Sequence, residues 1–333
     1  GVGIGTVSRV LNGNSKVAEG TRRKVLQAIE DLQFKPNYAA RKLPRKSHQR
    51  NIGVLTQPFL SYHSFVERLR GVQTALFEQD ETYELILYSV NSLAQFDEQI
   101  RQIAQRGVID ALLIIDFQTG EEHRQRLDTV GIPHVEINHN LQATWPSIIT
   151  DNRIGAMSAG HFLFELGHRR IAYIGDVFEN QYGFKTSQER LNGLKEALSE
   201  HSVEIPDAYI HLGPHGYDMA KLLTRELLDQ APQPPTAIFA MSDIQALGCI
   251  TTLQEVGLRV PEDVSVMGYD NLEISQHIGL STVDQYLSLS GRRAVGYLID
   301  IQQQRDTTPH VLPQPTIIPR RTTRVLTNDE TGA

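Results

Sequence analysis

Residues 237–267 read AIFAMSDIQALGCITTLQEVGLRVPEDVSVM. Ala237–Ala240 is a short apolar run, a helical pattern covers Ile244–Val256, and Val264–Met267 is a second apolar run. Gly257 follows the helix where a C′ glycine ends one. Strand, helix, strand is one βαβ unit, and the same alternation fills most of the chain. Apolar runs at Ile52–Leu55, Leu85–Tyr88, Ala111–Ile115, His134–Ile137, Ile148–Ile149, Ile171–Ile174 and Tyr209–Leu212 read as further buried strands. Helical patterns at Phe65–Glu78, Gln95–Arg106, Arg153–Leu166, Glu189–Glu200 and Asp218–Gln230 lie between them, and Gly167-His168 reads as another helix stop. The expected fold class is α/β, with doubly wound parallel sheets. So many strands need two sheets, hence two lobes with a cleft between them.

The 333 residues (37.4 kDa) allow two or three domains. With 40% hydrophobic and 21% charged residues the composition is that of an ordinary globular protein. No apolar run reaches the ~18 residues of a membrane span, and no charged-then-apolar leader opens the sequence. Cys249 has no partner for an internal disulfide, which fits a cytoplasmic location. The net charge of −7 conceals a split. Residues 1–50 hold eleven Lys/Arg and three acids, a net of +8, and the remaining residues hold 21 and 36, a net of −15. A basic head on an acidic body suggests that the head alone meets a polyanion.

Within the head, Gly1-Val2-Gly3-Ile4-Gly5 is not a phosphate loop, since such a loop follows a strand. Thr6–Asn12 reads as a short helix with Val7, Val10 and Leu11 on one face, ended by the turn Asn12–Ser15. A longer helix is predicted over Thr21–Phe34, with Val25, Ile29 and Leu32 on one face. Arg22, Arg23 and Lys24 would then crowd its first turn and oppose the helix dipole, an arrangement suited to nearby phosphates. Pro36-Asn37 opens a third segment that runs to Leu43, followed by a basic linker through Arg50.

Thr6-Val7-Ser8-Arg9-Val10-Leu11-Asn12 resembles the recognition-helix signature of the LacI/GalR transcription regulators. Thr21-Arg22, Pro36-Asn37 and Ala39–Leu43 match the rest of that family's head and hinge. Thr150-Asp151-Asn152, Leu166–Ala172, Arg190–Gly193, Ser242-Asp243, Ala246–Gly248, Gly257–Val266 and Gly268-Tyr269-Asp270 match its body. The resemblance implies a helix-turn-helix head, a hinge helix, and a two-lobed core like the type I periplasmic binding proteins. On this basis the head covers 1–36 and the hinge and linker 37–50. The core covers 51–324, with a first lobe of about 51–151 and 281–311 and a second of about 152–280 and 312–324; 325–333 is a tail. It further implies a homodimer, or a tetramer, that binds operator DNA and a small-molecule effector.

Carried over by position, Ile4, Gly5 and Arg9 would face base edges, with Arg9 bidentate to a guanine and Ile4 against a thymine methyl. Thr6, Ser8, Asn12 and Thr21 would hold phosphates. Asn37, Ala40 and Leu43 belong to the hinge, where the family's leucine wedges into the minor groove. Three departures stand out. The family's first helix has no counterpart before Gly1, so the head is expected to be truncated. Ala18 stands where a capping Ser is usual. Pro44 directly follows Leu43 and should stop the hinge helix there.

Effector groups are expected at strand C-terminal ends. Sugars need carboxylate and guanidinium groups that pair with adjacent hydroxyls beside an apolar surface. The resemblance points first to Asp270 and Arg190, then to Asp151, Ser242 and Asp243, with Ser64 and Phe65 facing the cleft from the first lobe. Ser242 replaces the Asn of a well-known branch, which leaves the effector class open. Trp145 is cleft rim or core. Neither His161 with His168 nor His211 with His215 shows a third ligand at metal spacing, so no metal and no cofactor is expected. No nucleophile elbow or P-loop is present. The expected function is a ligand-responsive regulator, a repressor sensing a sugar. A sugar-binding protein for transport would carry a leader and no basic head. A sugar-modifying enzyme would use Asp151, Asp243 and Asp270 as an acid/base set.

Overall fold

The computed structural model describes residues 2, 3, 6, 7, 10, 17–31, 49–58, 62–79, 82–138, 140–303 and 308–326. The chain forms two compact units, residues 1–48 with 105–108, and residues 49–104 with 109–333.

In the smaller unit Thr6, Val7 and Val10 are helical and Val10 is buried. Helix α1 spans Glu19–Asp31, two residues earlier than its sequence pattern indicates. The Ala18 carbonyl accepts from the amides of Thr21 and Arg22. Glu19 therefore occupies the first turn, where an acid suits the dipole, and Arg22–Lys24 sit a turn further in. Val25 is buried on its inner face. The sites expected at Ile4, Gly5, Ser8, Arg9, Asn12, Asn37, Ala40 and Leu43 lie outside the described residues.

The larger unit runs β1 (Gln49–Thr56), α2 (His63–Phe77), β2 (Thr82–Ser89), α3 (Leu93–Arg106), β3 (Ala111–Ile115), α4 (Glu121–Thr129), β4 (His134–Asn138) and β5 (Ser147–Ile149). It continues with α5 (Asn152–Glu165), β6 (Ile171–Asp176), α6 (Thr186–Ser199), β7 (Ile210–Gly213), α7 (Tyr217–Gln230), β8 (Ala237–Ala240), α8 (Asp243–Glu255) and β9 (Ser265–Met267). It closes with α9 (Glu273–Ile278), β10 (Thr282–Asp284), α10 (Leu287–Gln302), β11 (His310–Val311) and β12 (Thr316–Ile318).

Two parallel sheets result. The first has the order β11-β5-β4-β3-β1-β2, the second β7-β6-β8-β9, and β10 pairs antiparallel with β12. Every residue of β3 and β8 is buried, as expected where helices cover both faces of a sheet. One face of the first sheet packs α2 and α10 through Phe65, Val72, Ala294, Val295 and Leu298. The other packs α3 and α4 through Phe96, Ile100, Ile103 and Leu127. The second sheet shares a single core with α5 through α8. The α2–α10 crossing is close: a Cβ on Gly71 would stand 1.8 Å from the Ser288 carbonyl oxygen, and one on Gly291 1.9 Å from that of Arg68. Only glycine fits at either position.

Gly167 and Gly257 take positive φ after α5 and α8, which ends both helices. Helix α4, with Leu127 as its one buried residue, has too little apolar pattern to be read from sequence. Cys249 is fully buried and burial pushes its thiol up to about 12, which makes it a packing residue. Among the described residues no helix is long and apolar enough to cross a membrane.

Candidate functional site

A cavity of about 390 Å³ opens between the two sheets of the larger unit. Its polar lining follows strand C-terminal ends: Gln57 after β1, Asp116 after β3, Asp176 at the end of β6, His215 after β7, Ser242 after β8, Asp270 after β9 and Gln285 after β10. Ser64 and Arg68 enter from the first turns of α2, and Thr186, Ser187 and Arg190 from α6. This is the crevice that doubly wound sheets leave open, because each strand points its last residue at the same edge.

Two guanidinium–carboxylate pairs face the cavity. From the first lobe, the Arg68 Nη1 donates to Asp116 Oδ2 at 3.1 Å, and Arg68 is 2% exposed. The Arg68 Nε is buried with no hydrogen-bond partner. Asp116 holds a φ of +66°.

From the second lobe, Arg190 is 3% exposed and each of its three nitrogens makes one hydrogen bond, which uses three of its five N–H donors. Nε and Nη2 donate to Asn152 Oδ1 at 3.0 and 2.9 Å, and Nη1 donates to the Met241 carbonyl. Its guanidinium lies 3.6 Å from the centroid of Tyr269. Asp270 Oδ1 is 3.8 Å from Nη1, an ion pair without a hydrogen bond. Asp270 accepts from Gln285 Nε2 and has its own amide on Val283 O. Burial pushes its carboxyl up to about 7, against the pull of Arg190. The Gln285 Oε1 is buried with no partner.

An aromatic wall completes the site. Tyr62 stacks on His215 at 4.6 Å between centroids, and Tyr182 stacks on Phe184 at 5.2 Å. Asp176 accepts from Gln245 Nε2 at 3.0 Å and meets His215 Nδ1 at 3.1 Å. Burial and the nearby Asp176 raise the Tyr62 hydroxyl's pKa, so it stays protonated.

Of the residues expected in the cleft, Ser64, Arg190, Ser242 and Asp270 line it and three do not. Phe65 is fully buried in the first lobe's core, because it sits on the sheet-facing side of α2. Asp151 caps α5 and accepts from the Ile154 amide at 3.0 Å; its neighbour Asn152 is the residue that holds Arg190. Asp243 is fully buried and accepts from the Leu272 amide at 2.8 Å and from the hydroxyls of Ser275 and Thr282. It pins the 270–272 turn from behind, and burial raises its pKa despite those donors. Arg68, Asp116, Asp176, Gln285, Tyr62 and His215 were not expected. The strand-end rule that picks Asp270 also picks Asp116 and Asp176; Arg68 and Tyr62 leave no such signal. Trp145 lies off the cavity with Arg124 over its ring at 4.0 Å.

His168 bonds Thr236 through Nδ1 and the Arg324 carbonyl through Nε2, a packing role. His211 and His215 part company. The first sits against the Ala208 carbonyl, and the second faces the cavity.

Residues 1–37 match the family of bacterial regulatory proteins called the lacI family, and residues 161–323 match the periplasmic binding protein-like domain. The HTH-type transcriptional regulator CelR of Thermobifida fusca is 33% identical over 324 residues, covering 93% of this chain and 91% of its own length. The HTH-type transcriptional repressor PurR of Vibrio atlanticus (strain LGP32) is 32% identical over 332 residues, covering 98% and 96%. A solved CelR–cellobiose complex superposes with a TM-score of 0.69 at 30% identity, covering 96% of each chain. The lac repressor dimer bound to operator and the anti-inducer ONPF gives 0.72 at 26% identity, covering 97% of this chain and 96% of that one. Both curated relatives are regulators of transcription, and so is this protein, rather than an enzyme. With its head and body both matched and its relatives aligned over nearly their whole lengths, the chain belongs to the LacI family of bacterial regulatory proteins.

Proposed function

We propose that this regulator is a cytoplasmic repressor that binds a palindromic operator as a homodimer and senses a sugar in the interlobe cavity. The paired Arg68–Asp116 and Arg190–Asp270 groups on opposite walls carry this reading. Carboxylates and guanidinium groups at fixed spacing match vicinal hydroxyls, and the Tyr62 and Tyr182–Phe184 rings offer flat faces to an apolar sugar surface. The volume falls in the ~300–1,000 Å³ range of small-molecule sites. Ser64, Arg190, Ser242 and Asp270, joined by Arg68 and Asp116, are the ligand groups in this reading. The cellobiose held by the CelR relative is in keeping with it.

A thermal-shift screen of mono- and disaccharides against purine bases tests the ligand class. A sugar at ~100 times its Kd adds ~2.7 kcal/mol of stability by mass action. A shift with a purine and with no sugar overturns the assignment. Operator binding is tested separately, with Arg9 as the base reader and Thr6, Ser8, Asn12 and Thr21 on phosphates. Ile4 and Gly5 approach the bases, and Asn37, Ala40 and Leu43 form the hinge. Arg9→Ala should cost ~1–3 kcal/mol on operator DNA and little on random DNA. Affinity should fall steeply with salt as phosphate contacts release counterions. Equal affinity for operator and random DNA rejects the repressor reading.

A further inference from the structure

We infer that His161, Glu200 and His201 form a surface site for a late first-row divalent metal ion, Zn²⁺ in the first instance. His161 comes from the C-terminal half of α5, Glu200 is the C-cap of the neighbouring α6, and His201 is the first residue of the turn that follows. Their ligand atoms all lie within 4.8 Å of one another. A tetrahedral centre with bonds of about 2.1 Å sets two ligand atoms about 3.4 Å apart. His161 Nε2 and Glu200 Oε2 stand 3.5 Å apart, already on that edge. The His201 ligand atom lies within 4.8 Å of both, and the residue is exposed, which leaves its ring free to close on an ion.

Local packing orients the donors. The His201 ring stacks on Phe164 with centroids 3.8 Å apart and planes 8° apart, and Arg169 packs at 3.6 Å from the centroid of the Phe164 ring. The His161 ring meets His201 edge-on at 5.7 Å. Two imidazoles and one carboxylate suit Zn²⁺, Ni²⁺ or Cu²⁺ and not Mg²⁺ or Ca²⁺, which take oxygen ligands. Exposure leaves a fourth position to water. The end of α6, where Glu200 caps the helix, also carries the negative pole of the dipole, which favours a cation. The sequence hides this site because His161 pairs with no histidine on its own helix; its partners are some forty residues away.

The site differs in kind from the cavity. The same helix pair carries Asn152 and Arg190 toward the cleft, so an ion here would tie α5 to α6 at their other ends. The test is calorimetric titration of Zn²⁺ into the full chain stripped with a chelator, with Co²⁺ as a spectroscopic probe. One Zn²⁺ per chain and four-coordinate Co²⁺ bands are expected. His161→Ala and His201→Ala should each weaken binding about ten-fold or more, and His211→Ala with His215→Ala should leave it unchanged. The three ligands are surface groups, so the variants keep their fold, which circular dichroism checks. Absence of Zn²⁺ uptake by the wild type overturns the proposal, as does unchanged affinity in the His161→Ala/His201→Ala double variant.

Discussion

The two walls of the cleft each present an arginine and an aspartate, but the pairs are built differently. Arg68 spends a donor directly on Asp116 at 3.1 Å and keeps its Nε unpartnered. Arg190 spends three of its donors on Asn152 and the Met241 carbonyl, and stands 3.8 Å from Asp270. One carboxylate is held by its arginine; the other is buried beside an arginine whose hydrogen bonds go elsewhere. Coulomb attraction without a hydrogen bond does not repay desolvation, which is why Asp270 is pushed up to about 7. The second wall therefore carries the group whose charge state ligand binding is free to change.

The largest expected effect breaks the first pair. Asp116→Asn keeps the positive φ, which Asn tolerates, and leaves Arg68 buried without its counter-charge. Denaturant unfolding should show a loss of about 3 kcal/mol. Asp270→Asn removes the matching charge on the other wall and should not destabilise the unliganded protein at pH 8; an equal loss in both variants would erase the contrast.

Next in size is a pH dependence. The folded-state pKa of Asp270 lies above its unfolded value, so the folded protein holds a proton that the unfolded chain releases. This stability is fully present below about pH 4 and is lost as pH rises to about 7. Wild type and Asp270→Asn should coincide at the acid end and diverge across that window, the variant being the more stable above it. Parallel profiles would remove Asp270 as the cause.

Smaller again is the support behind the second wall. Ser275→Ala takes one donor from the buried Asp243 and should cost about 1–3 kcal/mol. Smallest is His215→Phe, which keeps the stack on Tyr62 and loses the bond to Asp176; a change within about 1 kcal/mol is expected.

The sheets were legible in the sequence because both faces of each strand are covered, so strands such as Ala111–Ile115 and Ala237–Ala240 read as unbroken apolar runs. The short strands β11 and β12 and the polar helix α4 lacked such a pattern. In the site, position along a strand was readable but side-chain direction was not. Asp270 and Asp243 both follow strands, yet one faces the cavity and the other turns inward onto Ser275 and Thr282. Asp151 and Asn152 show the same limit at one residue's distance: the first is spent on a helix cap and the second grips Arg190. Arg68 and His161 become visible only when distant helices meet.

The close crossing at Gly71 and Gly291 bears on how the protein is made. Strands β6 to β9 of the second sheet are consecutive in the chain, whereas the first lobe waits for α10, 220 residues after α2 as counted from 71 to 291. At about 5–20 residues per second, α2 emerges from the ribosome some 10–40 s before its glycine-matched partner. A nascent chain that ends before Leu287 thus has a finished second sheet and a first lobe with an open apolar flank, the point at which a chaperone would find it.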